Sequence, residues 1–145
     1  GYPSAEEEVV LTRQVTSHFV GDRLSVDSVS PVIDPAHVAR IQALAARLTV
    51  DDAVLDYAVR LARATRESPA VARGAGPRAS IALVRASRAR ALMARRAFAT
   101  PDDVKSVAHS VLRHRILLTP EMEIEGRGAD SVIADLLASV EAPRL

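Results

Sequence analysis

The chain has 145 residues, 48% hydrophobic and only 3% aromatic, with 19 basic against 18 acidic side chains and a formal net charge of +1. That balance supplies no broad field for nucleic acid or anionic lipid. The absence of cysteine excludes a disulfide framework and a thiolate metal site, and no apolar run is long enough for a membrane helix. One domain with a core of Leu, Ile, Val and Ala is expected, and the lack of cysteine suits a reducing, cytoplasmic setting.

Ser4 to about Val20 reads as a first helix. Ser4 and Glu7 make a capping box, and Glu6, Glu7 and Glu8 lie at the positive helix end. Val9, Val15 and Phe19 are spaced for a buried face. Gly21 to Asp34 is a connection of turn formers with room for a short strand over Val29–Ile33. Asp34-Pro35 then opens a second helix to about Leu48, with Val38, Ile41, Leu44, Ala45 and Leu48 on one side. Asp51 or Asp52 caps a third helix to about Glu67, with Val54, Leu55, Ala58, Leu61, Ala62 and Thr65 inward. Its Arg60, Arg63 and Arg66 form a stripe, either a solvated face with local ion pairs or a seat for a phosphate or a neighbouring subunit.

Ser68 to Gly76 is a loop with Pro69 and two glycines for sharp turns. The fourth helix runs from Pro77 to about Arg96, with Gly76 as its cap and Pro77 at the position where a missing N–H costs nothing. Ile81, Val84, Ala91 and Leu92 mark its inward side, and Ala79, Ala82, Ala86 and Ala89 raise helix propensity and permit close approach of neighbours. Thr100-Pro101-Asp102-Asp103 is a helix start, followed by the stripe Val104, Val107, Ala108, Val111 and Leu112. Ile116-Leu117-Leu118 is short enough for a strand that pairs with the segment around Val32 or folds against Met122 and Ile124. Pro120 is equally able to start a helical turn, and the sequence leaves these alternatives open. Asp130 or Ser131 begins a last helix to about Val140, with Ile133, Leu136, Leu137 and Val140 inward and Pro143 as a stop. The expected fold is all-α, a bundle of about five to six helices with at most a short two-stranded β element.

The chemistry concentrates at Gly74-Ala75-Gly76-Pro77-Arg78-Ala79-Ser80. A cation in the first turn of a helix opposes the helix dipole by roughly 0.3–1 kcal/mol. A chain that accepts this cost at Arg78 has backbone donors, a positive helix end and a guanidinium directed at one anion. The plainer alternatives leave Arg78 in solvent or pair it with Glu67. Other chemistry is poorly provided for. No Gly-x-x-x-x-Gly-Lys-Ser/Thr loop is present, and the sole lysine, Lys105, lies inside a helix, so this polypeptide by itself is not expected to hydrolyse ATP. His18, His37, His109 and His114 lack partners at zinc spacing, and nothing marks a nucleophile turn. Thr100-Pro101-Asp102-Asp103-Val104 also occurs in histone-like folds, but arginines without exposed aromatics are a poor nucleic-acid surface.

The same central residues resemble the Gly-Ala-Ser-Pro-Arg-Ala segment in the C-terminal helical lid of MoxR-type AAA+ ATPases, with Gly76 where Ser is usual. Gly1-Tyr2-Pro3-Ser4 with Glu6-Glu7-Glu8 resembles that family's junction between ATPase core and lid. Asp56-Tyr57, Arg63-Ala64-Thr65-Arg66, Thr100-Pro101-Asp102-Asp103-Val104, Val111-Leu112-Arg113-His114-Arg115 and Glu123-Ile124-Glu125-Gly126 follow in the family's order. The resemblance implies that residues 1–145 are a lid lacking its core. It implies that Arg78 is the sensor-two arginine, flanked by Gly76, Pro77 and Ala79 at the nucleotide, with ATP and Mg2+ as cofactors. It further implies a homo-oligomeric ring and chaperone-like remodelling, with von Willebrand factor A-type domain proteins among the partners. His114, between Arg113 and Arg115, is expected to be structural or to touch another subunit. The competing reading is a free-standing helical interaction module that binds no nucleotide.

Overall fold

The computed structural model describes residues 2–16 and 29–144. Among them are seven helices: α1 (Ala5–Thr16), α2 (Pro35–Arg47), α3 (Asp52–Glu67), α4 (Pro77–Met93), α5 (Pro101–Leu112), α6 (Pro120–Ile124) and α7 (Ala129–Ser139). Four short strands lie between them: β1 (Thr49–Val50), β2 (Val71–Arg73), β3 (Phe98–Ala99) and β4 (Leu117–Leu118). The all-α class holds, with one more helix than expected and two β pairs instead of one. The chain divides into two compact units, Gly1–His37 and Val38–Leu145.

In the first unit α1 starts on the predicted capping box. The Ser4 N–H donates to Glu7 Oε2 at 2.8 Å and the Glu7 N–H to Ser4 Oγ at 3.3 Å. The bond from the Ser4 backbone holds the Glu7 carboxyl below the usual range. The expected buried face of α1 is not seen: Val9 is exposed and the helix buries no residue. Val9, Val10 and Leu11 are consecutive, so they point about 100° apart around the axis instead of forming one stripe. The rest of that expectation, Phe19 and the helix beyond Thr16, falls outside the described residues, as does His18. Residues 29–34 carry no strand, which corrects the reading of Val29–Ile33. Asp34 caps α2 by accepting from the His37 N–H at 2.7 Å.

The second unit holds the core. Val54, Tyr57, Ala58, Leu61 and Ala62 of α3 meet Ala79 and Leu83 of α4, Val104, Ala108, Val111 and Leu112 of α5, and Val132, Ile133 and Leu136 of α7. Leu61, Leu83, Leu112 and Ile133 have no exposed surface, and burial of each such side chain contributes about 1.5–3 kcal/mol. A smaller cluster joins Leu48, Ala91 and Ala99. On α2 the expected stripe fails, since Val38, Ile41 and Leu44 are all exposed and only Leu48, just past its end, is buried. The spacing is helical, but no element of this unit packs over those three residues.

Helix α3 begins on Asp51, whose side chain accepts from the Ala53 N–H at 2.8 Å. Its inward face is as expected apart from Leu55, which is exposed, and Tyr57, which is buried. Two members of the arginine stripe form local pairs, Arg60 with Asp56 at 2.7 Å and Arg63 with Glu67 at 3.8 Å. Helix α4 is rotated from the expected face: Ala79, Leu83, Ser87 and Ala91 are buried, while Ile81 is exposed. Two positions along a helix is about 200° around it, so a face through residues 79 and 83 turns residue 81 away. A ridge of every fourth residue, mostly small, suits close packing on α3 and α5. Helix α5 carries a full capping box between Thr100 and Asp103 and its apolar stripe is buried as read, with Val107 half-buried.

Two short pairings tie the helices. β1 and β3 are parallel, Thr49 opposite Phe98 and Val50 opposite Ala99. β4 pairs antiparallel with β2, Leu118 opposite Val71 and Leu117 opposite Arg73. The partner of Leu117–Leu118 is therefore the loop ahead of α4, not the segment around Val32, and Pro120 does start a helix. Helix α7 starts from Gly128, slightly ahead of the expected Asp130 or Ser131.

Candidate functional site

Two anchors deliver the chain to the start of α4. On the near side β4 clamps β2, and the Thr119 N–H donates to the Ala70 carbonyl at 3.1 Å. On the far side Thr65, fully buried on α3, accepts from the Ala75 N–H at 2.9 Å and donates its hydroxyl proton to the Ala62 carbonyl at 2.7 Å. Between these anchors Gly74 lies against the α3 backbone. A Cβ there would stand 2.6 Å from the Thr65 carbonyl oxygen and 2.7 Å from Arg66 Cα, closer than real atoms approach. Glycine is required at 74 by space, and this close crossing fixes the course of the loop.

Gly76 is the N-cap of α4, with extended backbone at φ −79° and ψ −179° that any residue adopts. A Cβ at Gly76 would meet nothing within 4 Å, so a serine fits here without adjustment. Pro77 occupies the first helical position as expected. Arg78 follows in the first turn and is exposed. Ala79 is 1% exposed, so its methyl belongs to the core and only its backbone is available to a ligand. Its N–H bonds back to the Gly76 carbonyl at 2.9 Å.

Electrostatically the start of α4 is bare. It has no acid in its first turn and no side-chain cap. Among the described residues Arg78 joins no ion pair, and Glu67, the partner weighed for it, is taken by Arg63. The helix end and the guanidinium thus add their positive potentials on one exposed corner. Positive potential of this kind attracts anions and repels cations.

Other candidate groups sit elsewhere. His109 Nδ1 lies 3.3 Å from Asp130 Oδ1, and Arg113 reaches the same oxygen at 3.3 Å, which joins α5 to α7. His114 is exposed beyond the end of α5. Among the described residues no three His, Asp or Glu side chains converge, and no helix is long and apolar enough to cross a membrane. The sequence pattern missed two parts of the site. Thr65 is an inward residue of α3 and part of the Arg63-Ala64-Thr65-Arg66 segment by sequence, and Gly74 a turn former at the head of the central segment, but neither the Thr65 hydroxyl bond nor the close approach of Gly74 is visible there. A threonine amid an apolar stripe, nine residues before a Gly-x-Gly, was the available signal.

Comparison with known proteins bears on the family and the fold. Residues 63–136 match the family model described as AAA lid domain. An uncharacterised Bacillus subtilis protein, YeaC, is 35% identical over 144 residues, covering 99% of this chain and 43% of its own length. The chaperone MoxR1 of Mycobacterium tuberculosis is 33% identical, covering all of this chain and 39% of that protein. Protein MoxR of Methylorubrum extorquens is 30% identical over 133 residues. The crystal structure of a candidate ATPase from Cytophaga hutchinsonii superposes with a TM-score of 0.74 at 27% identity, over 99% of this chain and 45% of that one. The chain therefore spans about two fifths of the length of the curated relatives it matches.

Proposed function

The chain belongs to the AAA lid domain family, of the MoxR kind, and from that premise we propose that it is the nucleotide-sensing lid of an ATPase. The observation that carries the reading is Arg78 at the exposed, uncapped start of α4, with no acid in that first turn. ATP would supply the anion, and its terminal phosphate is the group that appears and disappears through a turnover. Arg78 and the open end of α4 bind that charge when it is present and lose the contact after cleavage. A ligand biases a moving element only through such a difference in contact, so the lid would change its preferred placement with nucleotide state. Gly76 and Pro77 shape the approach, and Ala79 pins the first turn to the core. Magnesium is assigned to the phosphates and to acids outside the lid.

We assign the whole protein to an oligomeric ring that remodels or assembles other proteins, among them proteins with von Willebrand factor A-type domains. The chaperone designation of the M. tuberculosis relative supports the remodelling part of this assignment. The test is ATP turnover by the complete product of the gene. Arg78→Ala should lower turnover while circular dichroism stays unchanged. Equal turnover in the variant, or no turnover in the parent, would sink the reading and leave an interaction module in its place.

A further inference from the structure

We propose that Thr65 is a positioning residue for Arg78, acting through the Ala75 N–H; the proposal rests on the nucleotide-sensing role argued above. Thr65 has no exposed surface and packs in the apolar core. A valine would fill the same space, so burial alone gives no reason for a hydroxyl. What the hydroxyl adds is a bond to the backbone of another element: it accepts from the Ala75 N–H at 2.9 Å while donating to the Ala62 carbonyl at 2.7 Å. Its donor and one of its acceptor sites are used, as burial requires.

The position of this bond gives it a purpose. Helices α3 and α5 are capped by the side chains of Asp51 and Thr100, but α4, which presents Arg78, has no side-chain cap. Its start is held instead from one residue ahead, at Ala75, and from its third residue, Ala79, which is buried. Gly76, Pro77 and Arg78 are suspended between those two points. Pro77 has a fixed φ, and Gly74 is pressed onto the Thr65 and Arg66 backbone. With both flanks tied, the guanidinium starts from one place and moves only through its own rotamers. If the Thr65 bond is removed, Ala75 stays buried and Gly74 stays packed on α3, but the Ala75 backbone loses the hydrogen bond that fixes its orientation.

The test has two arms. In the 145-residue chain, amide exchange at Ala75 is followed by NMR. It should be slow in the parent and in Thr65→Ser. In Thr65→Val it should be about tenfold faster or more, as loss of a single buried bond implies; Thr65→Ala serves if the valine variant does not fold. Unchanged exchange overturns the latch whatever the role of Arg78. In the complete gene product, ATP turnover is measured in Thr65→Val, Arg78→Ala and the double variant. Thr65→Val should lower turnover about three- to tenfold, Thr65→Ser should restore it, and Thr65→Val should add nothing in the Arg78→Ala background. A loss that persists in that background marks Thr65 as structural only and overturns the positioning role. Normal turnover in Arg78→Ala removes the sensing role and the positioning role together, while the Ala75 exchange still reports on the latch alone.

Discussion

The Arg96 guanidinium holds Asp103 at two points, Nη1 to Oδ2 at 2.7 Å and Nη2 to Oδ1 at 2.6 Å. The same carboxylate accepts from the Thr100 N–H at 2.8 Å, so one side chain closes the start of α5 and ties it to the tail of α4. Asp103 is 4% exposed. The Arg96 bond first, then the Thr100 bonds, hold its carboxyl below the usual range against the opposing effect of burial. Removing one partner of a largely buried pair, together with a capping contact, should cost roughly 2–4 kcal/mol. Thermal melting of Asp103→Ala is the measurement.

The pH dependence follows from the same pair. On acidification an unfolded Asp103 takes up its proton first, at about pH 4, so the folded state loses ground as pH falls. The stabilisation is complete above that value and disappears as pH drops through the depressed folded value. Asp103→Asn should flatten this part of the acid-unfolding curve. An unaltered curve would show that other carboxylates govern it.

Gly76 differs from Gly74 although only one residue separates them. Gly76→Ser places a hydroxyl at an N-cap whose Cβ position is open, so it should stabilise by a few tenths of a kcal/mol, roughly.

Gly74→Ala should have the opposite sign. The added methyl would meet backbone of α3, which does not yield as a flexible side-chain end would. A loss of about 1–3 kcal/mol is expected, read by denaturant unfolding with the slope unchanged.

Arg95 has a left-handed backbone, φ 56°. It stands just past the α4 cap, where the Arg96 N–H reaches back to the Ala91 carbonyl at 2.9 Å and the Arg95 N–H to Leu92 at 2.9 Å. Glycine favours that conformation. Arg95→Gly should raise stability by about 0.5–1 kcal/mol. A fall in melting temperature would show that the Arg95 side chain contributes more than its backbone costs.

The helix starts were legible in the sequence because their determinants are local. Ser4 with Glu7, Asp51, and Thr100 with Asp103 each satisfy nearby N–H groups, Gly76-Pro77 marks a start through the fixed φ and missing N–H of Pro77, and each start was legible within a residue or so. The face of α2 was not legible, and that of α4 only in part, with Ala91 buried and Val84 and Leu92 half-buried as expected. Periodicity shows that a stripe exists, whereas burial depends on which element arrives to cover it, as exposed Ile41 and Ile81 illustrate. The same limit hid the β2–β4 pairing, since a strand of two residues has no pattern of its own. Within the site, Arg78 was visible from its place after Gly76-Pro77. The Thr65–Ala75 bond was not, because a side chain that holds backbone ten residues away leaves no periodic trace.

The parallel contact of Thr49 with Phe98 has a kinetic consequence. Helices α3 and α4 both lie between its two strands, so the chain must close a long loop before either residue gains anything, and loop closure of that kind is slow. The bridge is expected to be the last part of the second unit to assemble and the first to open under native conditions. Pulse labelling during refolding would then find the Thr49 amide, which bonds the Ala97 carbonyl at 3.2 Å, protected well after those of α3.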